Sequence, residues 1–404
     1  MKRRMTFLLL IAALLLSAFV APPERESGYA AAPNPGATAQ AAAPGSPVGP
    51  EEFPEGVSPL TGLPVSDPEN LDVPPVMVSI TNFPVSARPQ AGLSYSPFVF
   101  ELYISEGMTR YLATFYGEYP GEAEEGVDGV NADGNFNQDA AIGPIRSGRL
   151  PYESLRQMFS GSLVMASADP RVKASLNAFS NVLGSDADSI NSAMVDVNKL
   201  QEIAAANDRR LRDGQLGGLL FDEQPPAGGV DGHQIWLAYA YLNQILWKYD
   251  AADGSYHRFQ DKADGTTFVE MTDRLNEEPL TYENVVILFA DHTVVRPTMI
   301  DISLLGIKKS PALLFRDGQM HKVYWTTLNG EYEKQTGLRR PIRFIDEQGN
   351  PVALAPGQTW VEIVPSYSPY YETVDSENYF KMANNKTPGS GIWAVRFYAP
   401  AGSQ

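Results

Sequence analysis

The chain has 404 residues, of which 43% are hydrophobic, 20% are charged and none is cysteine. Its formal net charge of −17 at pH 7 makes nucleic acids and anionic membrane surfaces unfavourable partners, because both carry charge of the same sign. The lack of cysteine excludes disulfides, thiol nucleophiles, cysteine-ligated zinc and a lipid attached to an amino-terminal cysteine.

The amino end has the pattern of a secretory signal. Lys2, Arg3 and Arg4 precede an apolar run over residues 7–21, and about 15 apolar residues are short for a bilayer core of roughly 30 Å. We therefore predict a signal peptide over residues 1–29 and an extracytoplasmic protein, secreted or associated with the cell envelope. Membrane contact is expected only through an uncleaved signal segment.

Residues 30–57 are dominated by alanine, proline and glycine. Such a segment has few side chains to bury, so ordering its backbone would cost entropy with little return. We predict a disordered linker. It could act as a semi-extended tether that holds a folded body away from a membrane or wall, or be only a disordered amino end.

Residues 58–229 are predicted to form an amino-terminal α+β domain that resembles an α/β sandwich. Apolar runs bounded by turn residues predict three strands: residues 76–80, 98–104 and 110–116. Pro151 suits a first helical position and Asp169 suits an N-cap. With the apolar spacing that follows, these signals predict three helices: residues 152–159, 171–179 and 196–206.

Residues 230–404 are predicted to form a mostly β carboxy-terminal domain, and the Gly/Pro-rich stretch 224–229 is the candidate boundary. The dipeptides Asp253-Gly254 and Asp317-Gly318 are typical of tight turns between strands. The predicted strands are residues 235–241, 245–249, 255–259, 284–290, 312–315, 320–325 and 360–364. The tail after residue 365 has no clear pattern.

Several segments together resemble the YerB-type family of bacterial lipoproteins. They are PLTGLPV (59–65), ARPQAGLS (87–94), EGMTR (106–110), IGPIRSGR (142–149), NVVI (284–287), FRDG (315–318) and PGQTWVEIVP (356–365). The resemblance covers roughly residues 58–366 and implies an exported envelope protein of two domains without an established activity. Family members usually carry a lipid-modified cysteine, and this chain departs from them in having none.

Charged residues in these segments predict a carboxylate–guanidinium cluster. Glu101 interrupts an apolar strand, Glu106 and Arg110 follow across a turn, and further arginines come from the IRSGR segment. Arginine forks bind carboxylates or phosphates in a bidentate manner. The candidate ligand-binding residues are Arg88, Glu101, Glu106, Thr109, Arg110, Arg146, Ser147 and Arg149. The alternative is a structural network that holds loops over the sheet.

Residues 128–139 place oxygen-bearing side chains at alternating positions, and Ca²⁺ prefers such ligands. The candidate metal ligands are Asn131, Asp133, Asn135, Asn137 and Asp139. Their spacing does not fit an EF-hand loop, and a solvated acidic hairpin is the alternative. No other cofactor is predicted.

Three functional hypotheses follow. The first is a non-catalytic module that binds a cell-envelope component or a protein partner where two domains meet. The second is a hydrolase acting on an envelope glycan, with Glu101 and Glu106 in acid and base roles, which requires both carboxylates in one open cleft. The third is a scaffold without a small ligand. Aromatic residues near the carboxy end, Tyr324 and Tyr370 among them, could contact sugars or a partner.

Overall fold

The structure is a computed structural model that describes residues 46–121, 140–177, 180–182, 193–206 and 210–403. The predicted signal peptide, residues 30–45 of the predicted linker, and the candidate calcium ligands lie outside these ranges. Within them the molecule is mostly β with few helices, so the α+β expectation holds only in part. No described helix combines the length and the apolar character needed to cross a bilayer.

The strands described in the amino half are β1 (Val76–Thr81), β2 (Phe98–Ser105), β3 (Met108–Phe115), β4 (Ala141–Ile142), β5 (Ser162–Met165), β6 (Ser180–Val182), β7 (Val195–Asp196) and β8 (Leu220–Phe221). The helices are α1 (Pro151–Phe159), α2 (Pro170–Ser175) and α3 (Val197–Ala205). Their starts follow the predicted signals: Pro151 begins α1, and the Asp169 side chain accepts a hydrogen bond from the Arg171 amide. Helix α2 ends at Ser175, earlier than predicted.

The strands of the carboxy half are β9 (Val230–Asp231), β10 (Gln234–Ala240), β11 (Asn243–Asp250), β12 (Ser255–Asp261), β13 (Phe268–Glu270), β14 (Thr281–Tyr282), β15 (Asn284–Ala290), β16 (His292–Arg296), β17 (Met299–Ile302), β18 (Ser310–Arg316), β19 (Gln319–Thr326), β20 (Arg343–Ile345), β21 (Ala353–Leu354), β22 (Thr359–Pro365), β23 (Tyr370–Glu372) and β24 (Ile392–Arg396). Two short helices accompany them, α4 (Glu331–Thr336) and α5 (Tyr379–Asn384). The strands predicted in this half are present. The unassigned tail supplies β23, α5 and β24.

One large mixed sheet, the main sheet, takes strands from both halves of the chain. Its order is β20-β19-β18-β15-β22-β2-β3-β1-β5-β6, with β9 paired to β19. Strand β22 lies in the middle, parallel to β15 on one side and to β2 on the other. The hydrogen-bonded network therefore runs across the position predicted as a domain boundary.

A second sheet, with the order β13-β12-β11-β10-β24-β23, covers the inner face of the main sheet. Side chains alternate between the two faces of a strand. Inward-facing residues such as Val99 and Tyr111 therefore pack with Ile235 and Trp247 of the second sheet. The outward-facing Phe100 packs with residues of α1 instead. Polar groups on the inner face are consequently shielded from water.

The predicted linker is shorter than expected, because its last part belongs to the folded body. Val48 exchanges two backbone hydrogen bonds with Phe221, at 2.8 and 2.9 Å, and Val57 is buried. The prediction of disorder over residues 46–57 is therefore wrong. The Pro/Gly composition conceals two apolar anchors that only the remote partner strand satisfies.

Candidate functional site

The predicted carboxylate–guanidinium cluster does not assemble as one site, because its members lie on different sides of the main sheet. Thr109 on β3 faces inward and donates a hydrogen bond to Glu101 Oε1 at 2.6 Å. Arg110, the next residue, faces outward and donates to the Ser147 carbonyl at 2.7 Å. Glu106 lies exposed on the β2–β3 turn with a φ of 50°.

One group of predicted residues holds the segment 145–149 against β3. Arg110 Nη1 also donates to the Ser147 hydroxyl at 3.0 Å, and Arg149 Nη1 donates to the same hydroxyl at 2.6 Å. Arg146 Nη1 donates to the Ile145 carbonyl at 2.9 Å. These guanidinium groups are engaged in contacts within the chain, and they fix a loop at the outer face.

The inward-facing group surrounds Arg258 on β12, a residue that no sequence pattern singled out. Arg258, Glu101 and Glu362 are all 0% exposed. Arg258 Nη2 donates to Glu101 Oε2 at 2.9 Å, and Nη1 lies 3.5 Å from Glu362 Oε1. The guanidinium carbon lies 4.4 Å from the Trp360 ring centroid and 5.2 Å from that of Trp247, within the range of cation–π attraction. We call Glu101, Arg258 and Glu362 the buried charge centre.

Strand register places the two carboxylates side by side, since Glu101 and Glu362 are direct neighbours in the parallel pairing of β2 with β22. Burial, and then the charge of Glu101, raise the pKa of Glu362 well above its ordinary value, while Arg258 acts in the opposite direction. Glu362 also has hydrogen-bond contacts with the Tyr239 hydroxyl at 3.0 Å and the Trp247 indole at 3.2 Å. A protonated Glu362 leaves Arg258 paired with the single carboxylate of Glu101.

The third inward-facing candidate, Arg88, connects the two halves of the chain. Its Nε donates to Asn82 Oδ1 at 3.0 Å, and its Nη1 donates to the Asp261 carbonyl at 2.7 Å. Asn82 in turn contacts Thr109 at 2.8 Å. Arg88 therefore belongs with the buried charge centre and not with Arg110.

The buried charge centre does not have the geometry that glycoside hydrolysis requires. The two carboxylates of such a site must flank a substrate bond in an accessible cleft. Glu101 is enclosed between two sheets and bonded to Arg258, whereas Glu106 points into solvent from a turn. The two predicted acid–base residues therefore do not share a cleft.

An open groove of about 710 Å³ lies at the edge of the main sheet. Strands β18 and β19 form its floor, residues 222–228 one wall and residues 346–353 the other. The first wall contains the Gly/Pro-rich stretch predicted as the boundary between the halves. The groove is thus the place where that stretch meets the carboxy-terminal strands.

Two of the aromatic residues noted near the carboxy end, Tyr324 and Tyr370, line this groove. Lys309 Nζ lies 3.9 Å from the Tyr324 ring centroid, and Lys322 Nζ lies 5.7 Å from that of Tyr370. Trp325, by contrast, is fully buried. The groove therefore presents aromatic faces together with charged side chains, which include Asp222, Lys322, Asp346 and Glu347.

Metal ligation has no support in the described ranges, where no three His, Asp or Glu side chains are grouped so as to hold an ion. The candidate calcium ligands, Asn131 to Asp139, are not among the described residues. The calcium site therefore stays a prediction.

The fold is that of a β-rich protein whose two halves share one sheet around a buried charge centre. Residues 60–200 match the family described as protein of unknown function (DUF3048), N-terminal domain, and residues 235–361 match its C-terminal domain. The chain belongs to the DUF3048 family, and the resemblance to YerB-type proteins is confirmed.

A solved structure has a similar fold, the crystal structure of the YerB protein from Bacillus subtilis. It aligns with a TM-score of 0.57 and 23% identity over 76% of this chain and 96% of that chain. At this identity the likeness shows the shared fold alone. No curated protein matches the sequence.

Proposed function

We propose that the chain is an exported, non-catalytic module of the cell envelope that binds a ligand or a protein partner in the groove at the sheet edge. The observation that carries this proposal is the pair of aromatic rings, Tyr324 and Tyr370, on an open concave surface with charged residues around them. Binding sites commonly combine apolar or aromatic walls with a few polar groups that set orientation.

The distribution of the charged residues supports binding over catalysis. The paired carboxylates, Glu101 and Glu362, are enclosed and share one arginine, so they stabilise the packing of the two sheets. The groove offers stacking surfaces and charged hydrogen-bonding groups. Such a surface suits a polymer of the envelope, either a glycan or a polypeptide.

Thermal unfolding tests the binding site. The chain from residue 30 onward is unfolded with cell-wall fragments, sugars, envelope-protein peptides, phosphate and Ca²⁺. A ligand specific for the folded state adds about 2.7 kcal/mol of stability at a hundredfold excess over its Kd. We expect the shift in Tm to disappear in the Tyr324→Ala/Tyr370→Ala variant.

Tyr398→Ala is the matched control, since Tyr398 is 45% exposed and is not part of the groove lining. It should keep the full shift. A shift that persists in the double groove variant would contradict the proposed site.

Export is tested by fractionating a bacterial host that expresses the whole chain or a form without residues 1–29. We expect the whole chain outside the cytoplasm and the shortened form inside. Equal distribution of the two forms would contradict export through this segment.

A further inference from the structure

We propose that the groove binds a segment of this same chain, residues 30–45, so that an external partner must displace it. This inference rests on the proposed role of the groove as a binding site. The segment lies outside the described ranges. Its sequence, AAAPNPGATAQAAAPG, carries no charged side chain and contains three prolines.

The floor of the groove has an incomplete edge. On the side away from β18, strand β9 pairs with Gln319 and Met320, and strand β20 pairs from Tyr324 onward. Among the described residues no strand covers β19 between these two pairings. The uncovered stretch is residues 321–323, which lie in the groove lining.

The register of the β18–β19 hairpin indicates which backbone groups face this gap. Its two-residue turn is closed by the pair Arg316 and Gln319, and such a closing pair has its backbone groups bonded to each other. Alternate residues from Met320 onward therefore direct their N–H and C=O away from β18. Lys322 is the residue whose backbone groups face the gap.

The walls of the groove suit a proline-containing segment in an extended conformation. Tyr324 and Tyr370 offer ring faces, and Pro225, Pro226 and Pro351 add apolar surface. Extended proline-rich segments bind aromatic-lined grooves because their backbone is already ordered. Proline lacks an N–H but keeps its carbonyl acceptor, and the N–H of Lys322 is a donor that such a carbonyl can use.

The described part of the chain begins beside this groove. The paired bonds between Val48 and Phe221 are antiparallel, so residues that precede Val48 run in the direction of Asp222 and the residues after it. Asp222 to Gly228 form one wall of the groove. A segment joined directly at that point has an effective concentration in the millimolar range without a long linker.

Disulfide trapping tests the inference in the chain from residue 30 onward. The sequence contains no cysteine, so two introduced cysteines react only with each other. The test variant combines Ala43→Cys with Ala227→Cys, since Ala227 is exposed and lines the groove. The control combines Ala43→Cys with Ser86→Cys, on an exposed turn outside the groove lining. Under mild oxidation at low protein concentration we expect the test pair to form the intramolecular disulfide at least several-fold faster.

Tyr324→Ala/Tyr370→Ala in the test pair should reduce that rate toward the control. Equal rates in the test and control pairs would overturn the inference, and so would a product that is mainly a disulfide-linked dimer. If the rates are equal while a ligand shift still depends on Tyr324 and Tyr370, the proposed binding site stands and self-binding fails. If trapping succeeds but no ligand shift depends on these residues, self-binding stands and the proposed external ligand fails.

Discussion

At the scale of single residues, Arg258 is the group on which the packing of the two sheets depends most. It is the cation that contacts both Glu101 and Glu362, and all three side chains are fully buried. A buried ion pair adds little net stability compared with apolar packing, but removal of one partner leaves an uncompensated charge in a low-dielectric interior. The residue is therefore costly to replace even if the centre has no chemical activity.

We predict that Arg258→Met lowers the free energy of unfolding by about 3–5 kcal/mol, because Glu101 would be buried without a cation. Urea unfolding at pH 7 measures this. Arg296→Met is the matched control, since Arg296 pairs with Asp169 at the surface, where its side chain is 42% exposed. Its effect should be much smaller, and losses of equal size would contradict the assigned role of Arg258.

The raised pKa of Glu362 gives a prediction for pH dependence. In the folded state Glu362 binds its proton more tightly than in the unfolded state. Its contribution to stability is therefore fully present below the ordinary glutamate pKa and is lost as the pH rises toward the raised folded value.

Glu362→Gln removes the ionisation and keeps the shape, so this variant should lose less stability than the parent between pH 5 and pH 8. Unfolding in urea at both pH values tests this. Glu331→Gln, at an exposed position of α4, should behave as the parent does. A parent and a Glu362→Gln variant with the same pH dependence would refute the assignment.

Part of the buried charge centre could be predicted from the sequence. Alternation along β2 places Glu101 opposite Phe100 and Leu102, and the same rule separates Thr109 from Arg110, contrary to the single cluster that was predicted. Arg258 was out of reach, because it meets Glu101 across 157 residues. Such a contact depends on how two sheets pack, and local periodicity does not report on it.

At the scale of elements, the two Asp-Gly turns differ in how closely their glycines are packed. Gly254 has a φ of 76° and open space for 4 Å around the place that a Cβ would occupy, whereas a Cβ on Gly318, with a φ of 68°, would lie 2.8 Å from the Tyr249 ring. Both positions favour glycine because other residues strain in the left-handed region. Only Gly318 adds a steric conflict.

We predict that Gly254→Ala lowers the free energy of unfolding by about 1 kcal/mol, the cost of left-handed backbone for a residue with a Cβ. Gly318→Ala should cost clearly more, because the Tyr249 ring must also move. The two variants are compared by urea unfolding under one set of conditions. Equal losses would mean that the contact with Tyr249 is unimportant.

Elements with local signals were the easiest to predict. The first turn of α1 follows from Pro151 and that of α3 from the Asp196 cap, since both signals act within a few residues. The ordered stretch at residues 46–57 was missed because its stability comes from the distant Phe221. The groove was also missed, since it is formed by a gap in strand pairing.

At the scale of the whole molecule, the shared sheet couples the two halves. Strand β2 of the amino half has β3 on one side and β22 of the carboxy half on the other. An isolated amino half would therefore expose one edge and one apolar face of a central strand. Exposed edges and faces of this kind promote aggregation.

We predict that residues 46–229 and 230–404, expressed separately, do not fold, and that the whole chain unfolds in one transition. All five tryptophans, at positions 236, 247, 325, 360 and 393, lie in the carboxy half. Their fluorescence reports on that half, while far-UV circular dichroism reports on both. The two unfolding curves should coincide, and an independent early transition in circular dichroism would contradict the coupling.

The position of β22 also sets an order of events when the protein is made. Residues 359–365 fill the slot between β15 and β2, so about nine-tenths of the chain must leave the ribosome or an export channel before the main sheet can close. Until then the slot is open and two apolar strand edges are available to other chains. A newly made chain therefore spends most of its synthesis unable to reach its final form, and a product truncated before residue 359 would never reach it.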